Sequence, residues 1–156
     1  MKIEFAKYIG TKLIKAKPMT RGDYNAYRGW TIPENENPDE EGYLVVYVDS
    51  DDYVSWSPKD VFDRAYRSCD GCMTFGGALE LLKMWFKVAR KGWNGKKQYI
   101  QLATGISYSS PDGEIVNCEH DAIGSKAIAF VGTSGVQMGW LASQADMLAN
   151  DWRVVW

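Results

Sequence analysis

Two stretches of this chain carry residue types that could do chemistry on a small polar ligand. The first, Lys87-Val88-Ala89-Arg90-Lys91-Gly92-Trp93-Asn94-Gly95-Lys96, sets an indole and an amide between glycines and among cations. That combination suits a phosphorylated nucleotide. Glycine lets the backbone approach closely, an aromatic face is worth roughly 1–3 kcal/mol per stacked base, and the cations neutralise phosphate. Arg90 has the planar fork for bidentate contacts, while Lys91, Lys96 and Lys97 act as point charges. The second stretch, Gly139-Trp140-Leu141-Ala142-Ser143-Gln144-Ala145-Asp146-Met147-Leu148-Ala149-Asn150-Asp151-Trp152, places tryptophan beside short polar side chains at the start of a helix. Backbone N–H groups after Ser143 would favour an anion, and Asp146 would accept from ribose hydroxyls or an adenine amine. A plainer reading stands beside each. Trp85, Trp152 and Trp156 also fit core or subunit-contact positions, and the basic run around Trp93 fits an exposed turn.

Catalysis is poorly supplied. Hydrolysis or group transfer needs an activated nucleophile with a base in reach, or a metal. The single histidine, His120, lies in Asn117-Cys118-Glu119-His120-Asp121, where neighbours in one loop seldom converge as a triad must. No GxxxxGK[ST] or helix-leading GxGxxG occurs, and Gly132-Thr133-Ser134-Gly135 is too generic to mark a phosphate loop. Cys69-Asp70-Gly71-Cys72 is a CxxC without a second pair or histidines at zinc spacing, and it falls in an expected linker. The expectation is a protein that holds a nucleotide, with neither cofactor nor metal, rather than an enzyme.

The elements that must position these residues alternate short strands with short helices, which predicts an α+β fold of small antiparallel sheets in two compact halves. In the first half a strand is expected over Lys7–Ala16, then a short helix capped by Thr20, and an acidic loop from Pro33 to Gly42. A hairpin follows from Tyr43–Val48 and Tyr53–Trp56, and Ser57-Pro58 should open a helix with serine as cap and proline at the first helical position. In the second half Thr74 should cap a helix bearing Phe75, Ala78, Leu79, Leu82 and Trp85 or Phe86 on one face. Strands are expected at Val88–Arg90, Gln98–Ala103 and Ala127–Val131, a turn at Pro111–Gly113, a helix over Gln144–Ala149 and a strand over Trp152–Trp156. The boundary between halves is expected around Ser68–Cys72.

Composition excludes other classes. The 156 residues are 46% hydrophobic and 24% charged, ordinary for a folded protein. A net charge of −2 with no long block of one sign argues against polymeric nucleic acid as partner. No apolar run approaches the roughly 18 residues of a membrane span and no signal-peptide segment is read, so no membrane partner and a cytoplasmic location are expected. Three cysteines without export signals read as reduced thiols.

Taken together, Thr74-Phe75-Gly76-Gly77-Ala78-Leu79-Glu80, the Val88–Lys96 motif and the Trp140–Trp152 motif resemble the phage family called Thoeris anti-defence 2, over about residues 73 to 156. The resemblance implies a small α+β sponge. Members of that family bind cyclic ADP-ribose isomers made by TIR-domain defence proteins, assemble as homotetramers and do not degrade the signal; some also sequester cyclic dinucleotides at separate pockets. It carries ligand-binding roles onto Phe75, Gly76, Arg90, Trp93, Asn94, Gly95, Trp140, Ser143, Asp146 and Met147. Trp93 would stack on adenine or close the pocket, Asn94 and Asp146 would fix base or ribose, and Arg90 with Ser143 would meet phosphate. Residues 1–68 depart from the compact form of the family and look like a small accessory domain of phage proteins, with Arg21, Arg28 and Trp30 as candidates for a second ligand. The rival readings are a protein-binding inhibitor of a defence enzyme and an enzyme that cleaves the signal, the latter testable at His120.

Overall fold

The structure is a computed structural model that describes residues 3–93, 97–117 and 126–156, the side chain of Asn117 apart. The chain divides into two compact units, Met1–Tyr66 and Arg67–Trp156, so the division falls just ahead of the expected Ser68–Cys72.

The first unit comprises β1 (Lys15–Pro18), α1 (Arg21–Arg28), β2 (Gly42–Tyr47), β3 (Tyr53–Pro58) and α2 (Lys59–Ala65). Its strands form one antiparallel sheet in the order β1-β2-β3. Thr20 caps α1 as expected, its hydroxyl accepting from the Asp23 N–H at 3.1 Å, and Gly29 closes the helix at a φ of 72° that glycine adopts without strain. Two expectations are corrected here. The strand expected over Lys7–Ala16 is realised only from Lys15, because only that end finds a partner strand, β2. Ser57 does not cap α2; it lies inside β3, and Pro58 takes the cap position without a side-chain bond. Strand pairing runs on through Pro58, opposite Gly42, so the helix starts only at Lys59 and its cap position falls one residue beyond Ser57. Phe62 of α2 is half-buried, stacked on Tyr43 at 4.0 Å and on Tyr66 at 5.0 Å.

The acidic loop is tied down rather than free. Glu36 accepts from Arg21 through two bonds and from the Asn25 amide at 3.2 Å. These bonds, Arg21 first, hold the Glu36 carboxyl below its ordinary value. Arg21, thus neutralised, also lies over the Trp56 ring at 4.9 Å, so of the accessory-domain candidates Arg28 and Trp30, stacked at 4.6 Å, remain at the exposed surface.

The second unit comprises β4 (Asp70–Met73), α3 (Phe75–Lys83), β5 (Lys87–Arg90), β6 (Tyr99–Thr104), β7 (Ser107–Ser109), β8 (Ile115–Asn117), β9 (Lys126–Gly132), β10 (Gly135–Met138), α4 (Gln144–Leu148) and β11 (Trp152–Val155). Six strands pair antiparallel in the order β10-β9-β6-β5-β11-β4, and β7 with β8 forms a hairpin around the turn expected at Pro111–Gly113. The expected linker over Cys69–Cys72 is corrected: Asp70 to Met73 form the edge strand β4, paired to β11. That pairing consumes the segment that looked, from its glycine and aspartate, like a turn.

Thr74 caps α3, accepting from the Gly77 N–H at 3.2 Å, and the helix packs Ala78, Leu81 and Leu82 into the core with Val88, Ile100 and Val154 of the sheet. The helix stops before Trp85 and Phe86, one of which was expected on its apolar face, and Phe86 is the half-buried one. Trp85 takes a φ of 71°, the Phe86 N–H turns back to the Leu81 carbonyl, and the Trp85 side chain is left 64% exposed. Trp156 is also exposed, whereas Trp152 is fully buried. The three tryptophans that read alike in sequence therefore have different fates.

Candidate functional site

The alternation of strand side chains decides what gathers on the α3 side of the sheet. Register places Val88 opposite both Ile100 and Val154, and Arg90 opposite Trp152, so Arg90 and Trp152 share the face that holds the core. Phe130 opposite Ile100 joins them on β9. Phe75, at the first position of α3, lies against Trp152 with ring centroids 5.5 Å apart. Trp93 follows β5, its N–H directed at the Arg90 carbonyl, and Trp140 is placed by its own N–H on the Ile128 carbonyl at 2.8 Å.

These residues form a packed aromatic cluster, termed the cage. Trp93 meets Phe130 at 5.4 Å, Trp140 at 6.0 Å and Trp152 at 5.4 Å, and Trp140 meets Trp152 at 6.3 Å. All four contacts are edge-to-face, with interplanar angles of 62–79°, the arrangement that sets the positive ring edge on the negative face. Trp152 is the floor, its indole N–H satisfied by the Asp146 carbonyl at 2.9 Å. Trp93 and Trp140 are half-buried, and among the described residues neither indole N–H has a protein acceptor. They offer a ligand both apolar surface and hydrogen-bond donors.

Beside the cage lies a charged cluster whose arrangement departs from the sequence reading. The Arg90 guanidinium donates from Nε and Nη2 to the two carboxylate oxygens of Asp151 at 3.0 and 3.4 Å, and from Nη1 to Asp146 at 3.0 Å. The bidentate capacity expected to meet phosphate is thus spent on Asp151. These bonds, that to Asp151 first, raise the Arg90 pKa above its ordinary value. One guanidinium against two carboxylates leaves one negative charge, which repels phosphate rather than attracting it.

Ser143 and Asp146 are likewise engaged with one another. The Ser143 hydroxyl accepts from the Asp146 N–H at 3.1 Å, and the Asp146 carboxylate accepts from the Ser143 N–H at 3.0 Å and its hydroxyl at 2.8 Å. This is a complete capping box, so the start of α4 offers an anion little. Burial raises the Asp146 pKa, but the bonds from Ser143 and then Arg90 outweigh it and leave the carboxyl below its ordinary value.

Of the residues singled out from sequence, the structure brings Phe75, Arg90, Trp93, Trp140, Ser143 and Asp146 into one region. Gly76 lies in the first turn of α3, where nothing but the Thr74 hydroxyl would approach an added Cβ, and Met147 is on α4, half exposed. Asn94, Gly95 and Lys96 lie outside the described residues, as do Cys118 and His120. The exposed cations of the β5–β6 connection that are described are Lys91 and Lys97. Sequence reasoning missed Phe130, Asp151 and the role of Trp152 as floor. Asp151 is 61 residues from Arg90, and only the pairing of β5 with β11 brings them together. Among the described residues no group of histidine, cysteine or acidic side chains could hold a metal ion.

Comparison with known proteins falls on this unit. The sequence model of a family described as Thoeris anti-defense 2-like domain matches residues 73–155, which takes in both tryptophan motifs and the elements from α3 to β11. A Bacillus phage SP01 protein described as Thoeris anti-defense 2 is 38% identical over 88 residues, an alignment that takes in 53% of this chain and 94% of the phage protein.

Proposed function

Because this chain belongs to the Thoeris anti-defense 2-like family, and so to a group of anti-defence proteins, we propose that it binds and sequesters a cyclic ADP-ribose-type immune signal without cleaving it. Cyclic dinucleotides are a second ligand class for the same reading, and the working form is a homotetramer in the bacterial host cell. The observation that carries the proposal is the cage of Trp93, Trp140 and Trp152, with two indole donors that have no acceptor among the described residues, beside a buried floor. Such a cage takes a purine by apolar contact and meets its ring nitrogens with N–H groups.

The charged cluster refines the roles assigned from sequence. Asp146 and Asp151, held by Arg90, present carboxylate oxygens to ribose hydroxyls or an exocyclic amine, with Asp151 the more open of the two at 35% side-chain exposure. Phosphate goes instead to the exposed cations of the β5–β6 connection, Lys91 and Lys97, which neither carboxylate neutralises in a described ion pair. Nothing in this arrangement needs a general base. A sponge requires tight binding, since nanomolar affinity corresponds to about 12 kcal/mol and the ligand must be withheld from a competing effector.

The test is to incubate the purified protein with a mixture of cyclic ADP-ribose isomers, remove free ligand, denature by heat and identify what is released by chromatography and mass. Intact isomer in near-stoichiometric amount is expected, and Trp93→Ala should abolish its capture. Release of linear ADP-ribose would make the protein an enzyme and turn attention to His120. No capture of either nucleotide class, with a stable complex formed on a defence protein, would make it a protein-binding inhibitor.

A further inference from the structure

Helix α4 has five residues and buries none of them. A helix this short does not persist by its own hydrogen bonds, and it has no buried side chain to anchor it. Among the described residues its hydrogen-bonded links to the sheet converge on one residue, Asp146: the carboxylate accepts from Arg90 and the carbonyl accepts from the Trp152 indole. The direction of the first link is set elsewhere. Asp151 grips the Nε and Nη2 edge of the guanidinium, and because that group is planar, the grip aims Nη1 at Asp146.

We propose that Asp151 is a positioning residue for the aromatic cage, acting through Arg90 on α4. The inference rests on the reading of the cage as the ligand site and adds a residue to it. The three tryptophans of the cage all connect to Asp151. Its backbone carbonyl accepts from the Lys91 N–H at 3.1 Å, two residues before Trp93; it directly precedes Trp152; and through Arg90 it holds Asp146, whose capping box fixes Ser143 three residues after Trp140. The cluster is partly shielded, Arg90 being 25% and Asp146 15% exposed, so these links are stronger than surface ion pairs.

The experiment uses the full chain with Asp151→Asn, Asp151→Glu and Arg90→Lys. Asparagine offers a single acceptor oxygen and no charge, and lysine cannot span both aspartates as a fork. In Asp151→Asn and Arg90→Lys the amide of Met147, bonded in α4 to the Ser143 carbonyl, should exchange about tenfold faster, while the sheet amides of Ile100 and Val154 keep their protection. The exciton signal of the edge-to-face tryptophans in circular dichroism should fall by about half, and a bound cyclic ADP-ribose isomer should leave about tenfold faster. Asp151→Glu, which restores the carboxylate, should recover most of each effect. Unchanged exchange and dichroism in Asp151→Asn would overturn the proposal, and so would a uniform loss of protection across the sheet, which would make Asp151 a support of the fold alone. If the unaltered protein takes no cyclic ADP-ribose isomer, the binding reading fails, while exchange and dichroism still decide the positioning role.

Discussion

Replacing Trp152 by phenylalanine separates the part of the cage that holds the fold from the part offered to a ligand. Trp152 is fully buried and its N–H is the donor to the Asp146 carbonyl at 2.9 Å. Phenylalanine keeps an aromatic ring there but loses that bond, at a net cost of about 1 kcal/mol. The missing part of the indole corresponds to one or two buried methylenes, about 1 kcal/mol more. Weakened edge contacts to Trp93 at 5.4 Å and Trp140 at 6.3 Å add roughly another 1 kcal/mol. The total of about 3 kcal/mol should lower the melting temperature of the second unit by on the order of 15 °C, since a domain of this size shifts about 4–8 °C per kcal/mol. Calorimetry of the full chain reads this directly, with the transition of the first unit as internal reference. Trp93→Phe, at a half-buried site whose indole N–H has no acceptor among the described residues, should shift the same transition by less than half as much and lose ligand capture instead. A shift under about 3 °C for Trp152→Phe, or equal shifts for the two variants, would refute the division between floor and wall.

Two further outcomes follow from the geometry. At Gly42 an added Cβ would collide with the Trp56 ring and the Ser57 carbonyl, so Gly42→Ala should destabilise the first unit by about 1–3 kcal/mol, seen as a lower transition for that unit with the second unchanged. The Asp146 carboxyl is held below its ordinary value, so the stability it contributes is complete above the unfolded aspartate pKa of about 3.9 and is lost as pH falls through its lower folded value. Acid titration should therefore loosen α4, read as faster exchange of the Met147 amide, only below about pH 4, and Asp146→Asn should remove that dependence.

Local signals were legible where the physics is local. Thr20, Thr74 and Ser143 each begin a helix because a short side-chain oxygen reaches an N–H three residues on, a geometry settled within four residues of chain. The runs Tyr43–Val48, Gln98–Ala103 and Ala127–Val131 became strands within a residue or two of their expected ends, because β-branched and aromatic side chains suit a pleated, half-buried surface. The same reasoning failed where a neighbour in space decided the outcome. Ser57-Pro58 has the composition of a helix start, but pairing to Tyr43 and Gly42 keeps it in a strand. Cys69–Cys72 has the composition of a turn, but β11 recruits it as an edge strand.

The candidate site divides along the same line. The family was readable in the chain alone: the resemblance drawn from the Thr74–Glu80, Val88–Lys96 and Trp140–Trp152 motifs agrees with the family match over residues 73–155. Residue types also argued for binding over catalysis, since one histidine and scattered carboxylates supply little else. Only the tertiary structure decided which tryptophan is floor and which are walls, and that Arg90 faces Asp146 and Asp151 rather than standing free for phosphate. The reason is range. A cap or a strand propensity is a property of adjacent residues, whereas the charge state of a site is a sum over groups that sheet pairing assembles from positions 56 and 61 residues apart.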